Sequence, residues 1–172
     1  DASDAVVCGM MSRLALGDLH LAANEHATAV AYYRELIEIA EHRELHIMRL
    51  DALVCEGRGL LAGGNADAAC ERADQALELV LQLGAARINT VEVAVVAARA
   101  YAATGSTSLA LAPLMSLTSE LGDSSSPDFW LVLEAVRVLA SSDAPTELPA
   151  WLELMAGFDA DGHGGALRAA HA

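Results

Sequence analysis

Aromatic side chains are scarce in this chain, at 4% of its 172 residues, although 54% of the residues are hydrophobic. Most of the apolar content is alanine, leucine and valine. Strands favour aromatic and β-branched side chains, whereas alanine and leucine are strong helix formers. The composition therefore argues against a β-sandwich and favours closely packed helices.

Positive charge is scarce as well. Ten basic side chains stand against 24 acidic ones, which gives a formal net charge of −14. A surface of this sign repels phosphate backbones and anionic lipid headgroups. We therefore expect no direct nucleic-acid partner and no attraction to a membrane surface.

Long apolar runs and an even set of cysteines are also missing. The longest uninterrupted apolar run, residues 93–98, is far shorter than the ~20 residues that cross a bilayer. Cys8, Cys55 and Cys70 are odd in number and lie within helical patterns, and no secretory signal peptide is visible. We expect reduced cysteines in the core, no membrane span and a cytoplasmic location.

Motifs for catalysis or metal binding are lacking too. No serine, cysteine or threonine stands in a motif that would activate it as a nucleophile, so we expect no enzymatic activity and no cofactor. His42 and His46 have the i, i+4 spacing of metal ligands on one helical face, but Arg43 takes the place that a zinc-protease motif gives to glutamate. The glycines of residues 57–64 have no preceding strand. We interpret the histidines as surface residues without a metal and the glycines as packing and turn residues.

A long internal repeat accounts for most of the chain. In four segments a turn residue lies five positions before an alanine, and helical periodicity flanks the turn on both sides. Each segment therefore predicts a helix A, a tight turn and a helix B. The alanines Ala29, Ala69, Ala110 and Ala150 recur at intervals that differ by no more than one position. The predicted hairpins cover residues 3–42, 44–83, 85–122 and 126–157, and a flexible glycine-rich tail follows at 158–172.

Capping residues and small residues agree with these hairpins. Asn65 is suited to cap helix B of the second hairpin, and Gly84 follows a leucine-rich stretch where a helix should end. Gly17, Gly57 and Ala98 occupy equivalent positions in three A helices. We expect these small residues to let the two helices of a hairpin approach closely.

Leu16-Gly17, Gly57, Ala69 and Ala76 resemble the tetratricopeptide-repeat motif. That motif has a Leu-Gly pair in helix A, a small alanine early in helix B and another alanine seven residues later. The resemblance implies an all-α fold of about four antiparallel hairpins stacked into a right-handed superhelix. The repeats of this chain are about 40 residues long, whereas the usual tetratricopeptide repeat has about 34. In this respect the chain is similar to the C-terminal arrays of LuxR-type and maltose-activator-like bacterial transcriptional regulators. This similarity implies that the chain is a fragment of a larger regulator.

In arrays of this family the A helices line a concave groove. Arg58 and Arg99 are equivalent there and would hold a carboxylate or an acidic peptide segment by bidentate hydrogen bonds. In the alternative interpretation the charges pair internally, Asp51 with Arg58 and Glu92 with Arg99, because each pair is two turns apart on one helix. The alignment predicts as partner-binding residues Asp18, Asp51, Val54, Arg58, Leu61, Glu92, Val95 and Arg99.

Three functions stay open at this point. The first is a non-catalytic interaction or regulatory module that binds a protein or peptide segment, or another domain of its parent chain, in the groove. The second is a domain that senses a small-molecule effector and shifts the parent between two states. The third is self-association as a homodimer, because the apolar segments 129–140 and 151–155 lack the polar outer face that the end of a solenoid needs.

Overall fold

A computed structural model of the chain describes residues 2–83, 87–106 and 108–114. Those residues contain helices and turns and no strand. The helices are α1 (Ala2–Ala22), α2 (His26–His42), α3 (His46–Ala62), α4 (Ala66–Leu83) and α5 (Arg87–Ala103), and residues 108–114 are also helical. The fourth predicted hairpin and the predicted tail lie outside the described residues.

Neighbouring helices pack against each other in sequence order. Each of the helices α1 to α4 contacts the next one, and α3 also packs against α5. The all-α expectation is confirmed for the described part of the chain. Within that part, no helix is long and apolar enough to cross a bilayer.

One turn geometry joins the helices. Each of four turns contains one residue with positive φ. The amide of this residue donates a hydrogen bond to the carbonyl three positions before it, and the amide of the next residue donates to the carbonyl five positions before itself, over 2.8–3.1 Å. This pair of hydrogen bonds is the Schellman motif, which satisfies the last carbonyls of a helix. The residues with positive φ are Asn24, Glu44, Gly64 and Gly105.

The end of one helix is also the start of the next at these turns. Asn65 follows Gly64, and its side-chain oxygen accepts a hydrogen bond from the amide of Ala68 at 3.3 Å. The predicted N-cap of α4 is therefore confirmed. Glu44 shows that the same turn forms without glycine, although φ is 56° at this residue. Gly84 lies outside the described residues.

The repeating alanines are the small residues of the core. Ala29, Ala69 and Ala110 have no exposed surface, which agrees with their predicted position early in each B helix. Ala150 lies outside the described residues. The largest fully buried side chains of the described residues include Tyr33, Met10, Leu36, Leu50, Leu53 and Leu114.

The glycines of the A helices lie at close contacts, but of two kinds. A Cβ atom at Gly17 would collide with the ring of Tyr33 on α2, so Gly17 does allow the two helices of one hairpin to approach. A Cβ atom at Gly57 would lie 2.8 Å from a methyl group of Val96 on α5. The expected contact within a hairpin is therefore wrong for Gly57, because α3 is covered there by the A helix of the following hairpin.

Candidate functional site

The predicted groove residues come from three A helices. Asp18 lies on α1, and Glu92, Val95 and Arg99 lie on α5. The remaining four, including Asp51 and Arg58, lie on α3. Because Asp51 and Arg58 are seven residues apart, they share one face of α3 two turns from each other.

An ion pair joins two of these helices. Arg58 Nη2 lies 3.0 Å from Glu92 Oε2, and the two side chains are 43% and 56% exposed. Helical spacing predicts partners within one helix for both residues, whereas this pair bridges α3 and α5. Asp51 and Arg99 have interactions as well. The arginines of this face are therefore already engaged with the protein's own groups.

Negative charge accumulates around Arg58. Burial raises the pKa of Asp51 above its usual value, and the nearby carboxylate of Glu92 raises it further. Ionised Asp51 is therefore disfavoured by both its surroundings and its neighbour. Arg58 pairs with the other carboxylate, Glu92, over 3.0 Å.

Tyr33 adds a polar contact that the sequence did not reveal. Its ring is fully buried against Gly17, and its hydroxyl donates a hydrogen bond to Asp18 Oδ1 over 2.7 Å. Burial raises the pKa of Tyr33, and the acceptor Asp18 raises it further. Asp18 is therefore held in place by α2 and is only partly available to a partner. The sequence indicated a close approach at Gly17, but not that the ring of Tyr33 fills that space.

Cys55 lies among the charges of this face. Burial raises the pKa of its thiol to about 12; Arg58 acts in the opposite direction, and Asp18, Asp51 and Glu92 raise it. The four charged residues are therefore near enough to the buried thiol to influence its pKa, and the thiol stays protonated at neutral pH. A protonated thiol is a poor nucleophile and a poor metal ligand. Cys55 is therefore a small packing residue, as expected.

The other cysteines differ from one another in exposure. All three are free thiols, but Cys8 is exposed and Cys70 is half-buried. The expectation of a core position is thus wrong for Cys8. It lies on a face of α1 that no described helix covers, so its helical pattern alone gave a misleading indication of burial.

The apolar residues predicted for the groove divide into two groups. Val54 is 3% exposed and packs in the core with Leu50, Leu53 and Val80. Leu61 and Val95 are half-buried. Val54 therefore offers almost no surface to a partner, whereas the other two keep part of their surface exposed.

We name the surface formed by Asp18, Asp51, Arg58 and Glu92 around Cys55 and Tyr33 the A-helix face. It combines three carboxylates with one arginine on three helices. Such a surface suits reversible binding through exchange of ion pairs. It offers no activated nucleophile among these residues.

A second charged cluster lies on the opposite side of α3 and was not predicted. Glu56 is 0% exposed; Arg34 of α2 and Arg72 of α4 lie 2.7 and 3.0 Å from its two carboxylate oxygens. The Arg34 contact is an aligned hydrogen bond, whereas the Arg72 contact is close without that alignment. The cluster ties three consecutive helices together. A lone glutamate within the otherwise apolar residues 52–57 was the available signal.

The histidine pair does not share a helical face. His42 ends α2 and His46 begins α3, and the Schellman turn at Glu44 separates them. The sequence stretch between them contains no glycine or proline, which is why the i, i+4 spacing was misleading. In the described ranges, no three histidine, cysteine or acidic side chains are grouped to hold a metal ion.

An open cleft of about 670 Å³ lies at the turn end of the first two hairpins. It is bordered by the first turn of α2 and the last turn of α3, and the side chain of Arg34 lies beside it. Polar side chains of Asn24, His26 and Asn65 also line it. The volume lies in the range of small-molecule sites, about 300–1,000 Å³.

Comparison with known proteins gives no further assignment: no family model, no curated protein and no solved structure matches this chain significantly.

Proposed function

We propose that this chain is a non-catalytic interaction and regulatory module whose A-helix face receives a protein segment. In this proposal the hairpins form a tetratricopeptide-like solenoid with a right-handed superhelix, and the A helices line its concave side. The observation that carries the proposal is that Arg58 of α3 lies 3.0 Å from Glu92 of α5, while Asp18 of α1 and Asp51 of α3 are near enough to act on the same buried thiol. Neighbouring A helices therefore present their polar residues to a common surface.

The ion pair suggests how a partner engages. Both Arg58 and Glu92 are substantially exposed, and exposed pairs contribute only about 0–1 kcal/mol. A carboxylate of an incoming segment can therefore replace Glu92 on Arg58 at low cost. The same exchange would leave Glu92 free to accept a basic side chain of that segment. The partner segment in this proposal carries an acidic residue for Arg58 and Arg99.

The proposed parent is a larger bacterial transcriptional regulator, on the strength of the resemblance of its repeats. The partner segment would then belong to a second protein or to another domain of the parent chain. The proposal involves no direct contact of this domain with nucleic acid, because its charge of −14 repels phosphate.

The test is affinity capture from the native lysate with three baits. These are the unaltered chain, the groove variant Arg58→Glu/Arg99→Glu and the control variant Arg13→Glu/Arg43→Glu. The control carries the same change in charge, but Arg13 pairs with Glu35 between α1 and α2, and Arg43 lies in the turn before α3. Circular dichroism checks that all three are equally helical.

We expect a partner whose recovery falls at least tenfold with the groove variant and stays unchanged with the control. Equal loss with both variants would mean that the interaction depends only on net charge, and it would contradict binding in the groove. Equal recovery with both would place the interaction elsewhere on the molecule. Cross-linking of the recovered partner to a photoreactive residue at Val95 locates the contact.

A second candidate function is the sensing of a small-molecule effector, and the cleft of about 670 Å³ favours it. The nitrogen Nδ1 of His26 is buried in the protein and has no hydrogen-bond partner there. A ligand that binds the folded state raises the melting temperature by mass action. A metabolite panel that raises the melting temperature of the chain but not of His26→Leu would support sensing through this cleft, and an unresponsive panel would count against it.

A further inference from the structure

The outer face of α1 is apolar and exposed. Leu16 is 42%, Leu19 66% and Met11 50% exposed, although all three lie in a regular helix. Cys8 and Ser12 on the same face are exposed too. Monomeric proteins rarely leave a continuous apolar helix face uncovered.

The repeat register identifies this face. In α3, one repeat further along the chain, Met48, Ala52, Glu56 and Gly59 are the counterparts of Cys8, Ser12, Leu16 and Leu19. These residues of α3 pack on α2: Glu56 bonds Arg34, Gly59 approaches Val30, and Ala52 lies in a cluster with Leu36 and Ala40. The exposed face of α1 is therefore the one with which an A helix covers the preceding B helix.

The third A helix repeats this arrangement. Val93, Ala97 and Ala100 of α5 are the counterparts of α3 residues 52, 56 and 59, and all three are buried. The clusters that contain Val93 and Ala100 include residues of α4, the B helix before α5. In two of the three described A helices, the face is thus closed by a preceding B helix, and α1 alone among them leaves it open.

We infer that the outer face of α1 is an interface for one further amphipathic helix of the B type, supplied by a repeat that precedes α1 and stacks on it. This helix lies on α1 as α2 lies on α3, so the interface continues one that the structure already contains. The inference concerns a different surface from the A-helix face and stands independently of the function proposed for that face.

Two differences between α1 and α3 define the chemistry of this helix. Leu16 of α1 occupies the position of Glu56 in α3, which pairs with Arg34 of α2. The proposed helix therefore has an apolar side chain at the position where α2 has Arg34. Leu19 stands where α3 has Gly59, and Val30 already approaches the Cβ position of Gly59 to 3.0 Å. The helix therefore has a small residue at the place of Val30. An unaltered copy of α2 would place a valine against Leu19 and an unpaired arginine against Leu16.

The test supplies such a helix in the correct register. Residues 26–45, which comprise α2 and the turn after it, are copied in front of Val6 of the full chain in place of residues 1–5. The copy carries Val30→Ala and Arg34→Leu. A matched control copy carries in addition Leu36→Gln, Ile37→Gln and Ala40→Gln, which removes the apolar stripe but keeps the length.

Cys8 reports on the outcome, because its thiol is exposed on this face. We expect its alkylation by iodoacetamide, followed by peptide mass spectrometry, to slow at least tenfold in the extended chain and to stay unchanged with the control copy. Circular dichroism confirms that both copies are helical. Equal alkylation of Cys8 with both helical copies would overturn the inference.

Sedimentation of the unextended chain tests whether a second copy of the chain, rather than a preceding repeat, covers this face. A dimer in which Cys8 is protected, and which Leu16→Glu/Leu19→Glu converts to a monomer, would identify a second copy as the occupant and would overturn the proposal of a preceding repeat. A monomer with reactive Cys8 is the expected result. Reversal of Arg58, which lies at the contact with α5, should affect neither readout.

Discussion

The helices α1 and α3 hold equivalent places in the first and second hairpins, yet their surroundings differ. The helices α2, α4 and α5 all pack against α3, whereas α1 packs mainly against α2. At one equivalent position α1 exposes Leu16 and α3 buries the charged Glu56 completely. In a repeat array, the burial of a residue is thus determined by the neighbours of its helix rather than by its own hydrophobicity. Four predictions test this comparison.

The largest expected effect separates Glu56 from Leu16. Glu56→Ala leaves Arg72, whose side chain is 26% exposed, without its carboxylate. Loss of one partner from a buried ion pair costs ~3–5 kcal/mol; because Arg34 can turn to solvent, we expect the free energy of unfolding to fall by about 2–4 kcal/mol. Leu16→Ala should change it by less than about 0.5 kcal/mol. Urea titrations measure both, and equal effects would contradict the difference in burial.

The next effect concerns the two helix glycines. Gly17→Ala forces the buried ring of Tyr33 to move, whereas Gly57→Ala displaces one methyl group of Val96. Overpacking costs about 1–3 kcal/mol, and alanine recovers up to ~1 kcal/mol of helix propensity. We expect a loss of about 2 kcal/mol for Gly17→Ala and less than ~1 kcal/mol for Gly57→Ala. In a Tyr33→Leu background the first loss should shrink, and strict additivity in this double-mutant cycle would argue against the contact.

The turns give a smaller effect of opposite sign. Glu44, in the turn between the first and second hairpins, holds a left-handed conformation that Gly64 holds in the turn inside the second hairpin. Left-handed geometry costs a residue with a side chain roughly 1–2 kcal/mol. Glycine avoids this cost, but its greater freedom in the unfolded state offsets part of the gain in stability. Glu44→Gly should therefore raise the free energy of unfolding by about 0.5–1 kcal/mol, and Gly64→Ala should lower it by a similar amount. A destabilising Glu44→Gly in thermal melts would contradict the turn geometry.

The smallest effect is a pH dependence of stability that comes from Asp51 of α3. The equivalent residue of α1, Met11, does not titrate. Burial and Glu92 raise the pKa of Asp51 in the folded protein above about 3.8. The folded state thus favours the protonated form, so the contribution of Asp51 to stability is fully present below that value and is lost as pH rises through the higher folded pKa. Asp51→Asn should be more stable than the unaltered chain at pH 7 by a few tenths of a kcal/mol.

Urea midpoints between pH 4 and pH 7 measure this difference. The advantage of Asp51→Asn should shrink as the pH falls towards 4, because Asp51 of the unaltered chain then becomes increasingly protonated in the folded state. A constant difference over this range would mean that Asp51 does not titrate in the folded protein with a raised pKa.

The sequence was informative where a feature depends on one hairpin. The spacing of Ala29, Ala69 and Ala110 located the small core residues, and the identity of Asn65 predicted its cap. Both follow from local rules, since a turn needs a capping oxygen and a close helix crossing needs a small side chain. The contact of Gly17 with α2 belongs to the same group.

Features that depend on neighbouring hairpins were not predictable in the same way. The contact of Gly57 with Val96, the Arg58–Glu92 ion pair and the Arg34–Glu56 ion pair join residues more than twenty positions apart. One sequence gives the face of a helix on which a residue lies, but not which helix covers that face. The left-handed Glu44 was missed for another reason, because its neighbours favour helix and tertiary packing overrides that preference.

The uniform turn also governs how the array would respond to mechanical tension. Asn24, Glu44 and Gly64 follow each other at even intervals along the chain, and each ends a helix with the same two hydrogen bonds. Pulling on the ends would therefore release segments of equal length at successive helices, although the force needed would differ with the packing of each helix. Each helix that detaches would release about 70 Å of contour length. The module would therefore lengthen in steps of equal length.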